Sequence, residues 1–166
     1  MTDFDEARVR RLEDRMEINE LMTTYALAVD ADDWDKVADL WLDDGTYELD
    51  AIGTFVGPAG VKEMLTRPAH TFARENHGAH ILSHPVILLE GDRAVATTYG
   101  QILTRENERH AVFRLIITRW ELRRTSKGWR VARRVNKLVD NDGAARALAG
   151  AAGRWEWEDS DSAALA

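Results

Sequence analysis

The chain has no cysteine. That absence excludes disulfides, thiolate metal sites and a cysteine nucleophile together, and it fits a reducing compartment. Positive charge is also short. Its 22 Lys and Arg face 29 Asp and Glu, for a net charge of −7. This balance argues against nucleic acid or an anionic membrane as the main partner. No apolar run approaches the ~18 residues of a membrane span. The opening MTDFDEARVRRLEDRME is charged and lacks the apolar centre of a signal peptide. A cytoplasmic protein is expected. No internal repeat is visible, and Gly53, Gly57 and Gly60 match no phosphate loop.

What is present suits one globular domain. The 166 residues are 45% hydrophobic and 31% charged, enough for a core and ordinary for a soluble chain. Apolar residues at Val9, Leu12, Met16, Leu21, Met22, Tyr25 and Val29 recur at helical steps from about Glu6 to Val29. The run DADD, Asp30 to Asp33, ends that helix and caps a second, which carries Trp34, Val37, Leu40 and Trp41. An Asp43-Asp44-Gly45 turn and short strands at Thr46–Asp50 and Gly53–Val56 come next. Gly57-Pro58 opens a further helix with Val61, Met64 and Leu65 on its apolar face. Arg67-Pro68 interrupts that pattern.

Beyond Asn76, residues rich in Val, Ile, Thr and aromatics predict four long strands: His77–Leu89, Ala94–Thr104, His110–Arg123 and Trp129–Val139. Glu90-Gly91-Asp92 and Ser126-Lys127-Gly128 read as hairpin turns. Helices followed by a run of strands predict an α+β fold. A curved mixed or antiparallel sheet would wrap the N-terminal helices and leave a cone-shaped cavity for a small molecule. One domain is expected over 1–140, with 141–166 a tail forming a short helix, disorder or both.

Three of the five histidines lie in ENHGAHILSHP. On a continuous strand His80 and His84 share a face and His77 points away. About 13 Å would separate His80 from His84, too far for one metal, so no metal site is expected. His80 can be a partly buried histidine bonded to backbone, or a base if it has a partner. Asp30, where the first helix ends, can be a solvated cap or that partner; a carboxylate on an imidazole fixes which nitrogen holds the proton. Tyr25 is a core aromatic or a donor to a substrate oxygen. In WRVARRV, Arg133 and Arg134 face opposite ways, so one points inward and needs an anionic or electron-rich partner.

Together these segments resemble the SnoaL-like proteins of the nuclear-transport-factor-two-like superfamily, over about residues 8 to 140. The resemblance runs through YALAVDADDWDKVADLWLDDGTYEL, IGTFVGPAG, HILSHPVILLEGDRAVA and GWRVARR. That group includes polyketide cyclases, ketosteroid isomerase, scytalone dehydratase, the bile-acid dehydratase and hexachlorocyclohexane dehydrochlorinase. The IGTFVGPAG turn is most similar to that of the dehydrochlorinase. The group's lyases pair an Asp at the end of the first helix with a His on the first long strand. These fall on Asp30 and His80, and the Arg five residues after the last-strand Trp129 falls on Arg134.

Some positions depart from the group. Tyr25 stands where the dehydrochlorinase has Lys and the bile-acid dehydratase has Tyr, which favours an oxygen leaving group. Thr104 and Arg105 lie near the place of the second histidine of scytalone dehydratase. His84 stands where Asn commonly precedes the proline.

The resemblance implies a cofactor-independent elimination. His80, oriented by Asp30, would take a proton from carbon, with Tyr25 or Arg134 stabilising the departing group or a carbonyl. Isomerase or cyclase chemistry in the same pocket stays open, as does a module that binds or assembles without chemistry. The expected substrate is a small hydrophobic ring compound, with Tyr47, Leu82, His84, Val86, Phe113, Leu115 and Trp120 as candidate lining. The open sheet face suggests a homodimer or homotrimer.

Overall fold

Seven strands form one curved, unclosed sheet in the order β2-β1-β7-β6-β5-β3, with β4 also paired to β5. The computed structural model describes residues 3–50, 52–140 and 143–156. The strands are β1 (Trp41–Leu49), β2 (Gly53–Val56), β3 (Ala79–Leu82), β4 (Val86–Glu90), β5 (Arg93–Glu106), β6 (Arg109–Thr125) and β7 (Gly128–Leu138). The helices are α1 (Asp3–Asp30), α2 (Trp34–Ala38), α3 (Gly57–Leu65), α4 (Pro68–Glu75) and α5 (Ala144–Gly150). β1 runs parallel to β7, and every other pairing is antiparallel. The α+β expectation holds, and the sheet is mixed.

The core lies between the helices and the inner sheet face. Ile18, Leu21, Met22 and Tyr25 of α1 pack with Trp41, Ala96, Trp120, Leu122 and Val131. The first turns of α1 run past this core, so Val9, Leu12 and Met16 stay exposed although they carry the helical period. Asp14 on the same helix is buried and ion-paired to Arg124 of β6. No helix among the described residues is long and apolar enough to cross a membrane.

Three boundaries differ from the sequence reading. Trp41 opens β1 instead of closing a helix. An apolar period cannot tell helix from strand in so short a run. The DDG segment lies inside β1, where the register against β7 shifts between Trp41 and Thr46. The third difference is that His77–Leu89 is not one strand. His77 takes a left-handed φ of 51° at the end of α4, and Pro85 has no N–H to offer a ladder. β3 and β4 are therefore separate pieces. Ser83 bridges the gap: its N–H donates to Tyr99 O at 2.9 Å, and its hydroxyl accepts from Tyr99 N at 3.0 Å.

A bulge decides which arginine faces inward. Glu121 pairs with Arg133 but Leu122 pairs with Val131, so Ala132 is an extra residue. Trp129 and Val131 are buried in the core. Plain alternation would put Arg133 on their side. The extra residue reverses the parity, so Arg134 and Asn136 point in. Arg133 instead pairs with Glu48 at 2.7 Å.

The tail forms α5, which packs Ala145 and Leu148 against Ile117 on the other face of β6. The carbonyls of Arg154 and Trp155 accept from buried Arg119 at 3.1 and 2.6 Å. The expectation of disorder beyond it falls on 157–166, outside the described residues.

Candidate active site

Asp30 and His80 are 50 residues apart in the chain and meet in the structure. α1 ends at Asp30, against the first residues of β3. His80 Nδ1 lies 2.6 Å from Asp30 Oδ1. The His80 backbone N–H donates to Asp30 Oδ2 at 2.9 Å. A carboxylate can only accept, so the imidazole proton sits on Nδ1. Nε2 then carries the lone pair. That atom is buried and has no hydrogen-bond partner among the described residues.

Nε2 belongs to a ring set between two cavities. The outer one, about 270 Å³, is lined by Val29, Asp30, Trp34, His70, His77 and His80 among others. The inner one, about 30 Å³, is lined by Tyr25, Tyr47, His70, His80, Arg114 and Arg134 among others. By this measure the inner space holds about two waters. His70 and His80 border both cavities. Their rings lie nearly parallel, 6.2 Å apart at the centroids with 9° between planes. Burial, then the charges of His80, Arg134 and Arg114, hold the His70 imidazole down at about 3, so it is neutral near pH 7.

Across the sheet, the inner lining falls into rows. His80 pairs with Ile102, and Ile102 with Arg114. Tyr47 pairs with Arg134, and Arg134 with Trp120. Side chains opposite one another on neighbouring strands share a face, so each row points inward. The Arg134 guanidinium lies 4.0 Å from the ring centroids of Tyr25 and Trp120 and 4.5 Å from that of Tyr47. It is 2% exposed. Its Nε and Nη1 have no acceptor among the described residues.

A polarised chain of hydrogen bonds ends at Tyr25. The Thr118 hydroxyl donates to Asn136 Oδ1 at 2.8 Å. Asn136 Nδ2 donates to the Tyr47 hydroxyl at 2.9 Å. The Tyr47 and Tyr25 hydroxyls are 3.3 Å apart. With Asn136 supplying its oxygen, Tyr47 can donate to Tyr25, leaving the Tyr25 O–H for a ligand. Burial pushes the Tyr47 phenol well above its ordinary value, so it stays protonated.

Of the residues expected in the site, Asp30, His80, Tyr25, Tyr47 and Arg134 come together. The others do not line either cavity. His84 is exposed between β3 and β4. Leu115 points to the outer face, and Val86 is exposed too. Phe113, the extra residue of a bulge opposite Ile102 and Leu103, packs on Phe72. Leu82 packs against the core, and Trp120 lies buried within it. Alternation alone separates Phe113 and Leu115 from Trp120.

His70 and Arg114 were not expected. His70 sits on α4, where the Pro68 region shows no readable period. Arg114 alternates with Ile116, Thr118 and Trp120, and that shared parity was the available signal. Among the described residues, no group of three His, Asp or Glu is placed to hold a metal ion.

Residues 10–135 match the family model described as a SnoaL-like domain. No curated protein matches the chain. Among solved structures, a nuclear-transport-factor-two-like protein with a cystatin-like fold from Novosphingobium aromaticivorans is 35% identical, with a TM-score of 0.82 over 86% of this chain and 93% of that one. A hexachlorocyclohexane dehydrochlorinase from Novosphingobium barchaimii is 20% identical, with a TM-score of 0.67 over 80% of this chain and 91% of that one. A protein of unknown function with a cystatin-like fold from Nostoc punctiforme is 17% identical, with a TM-score of 0.63 over 86% and 96% of the two chains.

Proposed function

The chain belongs to the SnoaL-like family, and from that premise we propose that it is a cofactor-independent lyase acting on a small ring compound. The observation that carries the reading is His80. Its Nδ1–H is held by Asp30 at 2.6 Å, while Nε2 is buried and unpartnered between the two cavities. An imidazole oriented in this way is a general base with a fixed tautomer.

The body of the substrate occupies the outer cavity, and its oxygen-bearing end enters the inner one. Nε2 takes a proton from carbon. The C–H electron pair is first held as an enolate by the adjacent carbonyl, and it becomes the new C=C bond as the neighbouring C–O bond breaks. The departing oxygen collects a proton from the Tyr25 hydroxyl, which is later restored from solvent. Arg134 and Tyr25 stabilise the negative charge that builds on that oxygen. The aromatic cage around Arg134 excludes water, which strengthens this interaction.

Isomerisation shares the first step and differs only in where the proton returns. The test is therefore exchange of the α-proton in deuterium oxide, followed by mass spectrometry over a panel of cyclic ketones and β-hydroxy ketones, each with and without a carboxylate. The enzyme reading expects exchange on at least one member, with water loss seen as a conjugated C=C absorbance. His80→Ala and Asp30→Asn each lower that rate by about 10²–10⁴-fold. Unchanged exchange in both variants would overturn the assignment of the base.

A further inference from the structure

Two arginines line the inner cavity. Arg134 is buried, with Nε and Nη1 lacking acceptors. Arg114 stands in the His80–Ile102–Arg114 row, its backbone about 10 Å from that of His80 at two strand spacings. Its guanidinium lies 5.4 Å from the centroid of the Phe113 ring, and no described carboxylate lies within ion-pair distance of it. The acids nearby are taken. Asp50, in the same lining, is held by Lys137 at 2.9 Å and accepts from the Leu138 N–H at 3.2 Å. Asp30 is held by both N–H groups of His80. A part-buried guanidinium without an anion is costly, and a ligand that supplies one recovers that cost.

Charge elsewhere in the cavity agrees. His70, in the same lining as the two arginines and His80, is kept neutral chiefly by burial and in part by the positive field of Arg134 and Arg114. The inner space, about 30 Å³, is too small for a ring and admits only small polar groups of a ligand.

We propose that the substrate is an organic carboxylate whose anionic group enters the inner cavity and pairs with Arg114. This rests on the reading of the site as a lyase, and it names the substrate class. Arg134 and Tyr25, three inward rows further along β6, are then left to the reacting oxygen. Arg114 is an anchoring residue, not part of the proton transfer.

Binding tests it without turnover. Benzoate, cyclohexanecarboxylate and 2-naphthoate are titrated calorimetrically, each against its primary amide, near neutral pH and at low salt. At least one carboxylate should bind about tenfold or more tighter than its amide. Arg114→Gln should bring the pair to within about threefold, and Arg114→Lys should retain the preference because it keeps the charge. Two results overturn the proposal: no carboxylate outbinding its amide in the parent protein, or a preference that survives in Arg114→Gln. His80→Ala separates the two readings. Carboxylate binding that persists there, with no proton exchange by the parent, keeps the anchor and removes the lyase. Exchange confined to neutral ketones keeps the lyase and removes the anchor.

Discussion

His70 shows how a single side chain can carry a measurable signature. Its folded-state value is about 3 against an ordinary 6.5, held down first by burial and then by His80, Arg134 and Arg114. The unfolded chain therefore binds a proton between those two values and the folded chain does not. Stability tied to this group is fully present above about pH 6.5 and is lost as pH falls toward 3. His70→Gln should unfold at a temperature less sensitive to acid over that window, measured by circular dichroism melts at successive pH values. Equal pH slopes for parent and variant would show that His70 is not held neutral. The same residue faces both cavities, so its replacement should also alter ligand affinity.

At the scale of elements, the loop from β2 into α3 depends on Gly57. Its φ is +65°, and an added Cβ would lie 2.6 Å from the Asp43 carbonyl oxygen. The contact is backbone to backbone, between Asp43 within β1 and the first residue of α3, so no flexible side chain can yield. Gly57→Ala should cost about 1–3 kcal/mol in urea unfolding. Gly150→Ala is the comparison, since a Cβ there meets nothing within 4 Å; it should be neutral or stabilising. The bulge at Ala132 is the other element-scale device. Deleting that residue removes the bulge and leaves Val131, Arg133 and Arg134 at successive in, out and in places, so Arg134 stays in the cavity. Affinity for an inner-cavity ligand should be retained, with helix content by circular dichroism kept, and a large loss of affinity would show that the bulge itself shapes the site.

The whole molecule hides its site from its bulk properties. A net charge of −7 describes the surface, yet the inner cavity carries two inward arginines. Binding of an anion there is a local effect that salt screens less than surface steering. The two sheet faces also divide the work. The inner face holds the site; on the other, α5 covers Ile117 and the segment after it holds Arg119. Removing residues 143–166 should uncover both, lower Tm by about 5 °C, and leave ligand affinity in the cavities unchanged. A fall in affinity would mean that the tail reaches the site.

The sequence by itself determined the fold class and most of the elements, α4 and the break between β3 and β4 excepted. The periods of 3.6 and 2, the Gly-Pro helix start and the hairpin turns are local signals, and local backbone preference expresses them wherever the chain goes. Five of the candidate site residues were legible too, because the resemblance marked Asp30, His80, Tyr25 and Arg134 and Tyr47 lay on a readable strand. What only the tertiary structure decided is which faces meet. Strand parity is exact, so one bulge at Ala132 or a break at Pro85 reverses every side chain beyond it. That is why Arg134 turned in and His84 fell outside, whereas plain alternation along β6 kept Leu115 from the cavity. His70 and Arg114 join the site through packing of α4 and the register of β3, β5 and β6, contacts that no short stretch of sequence encodes.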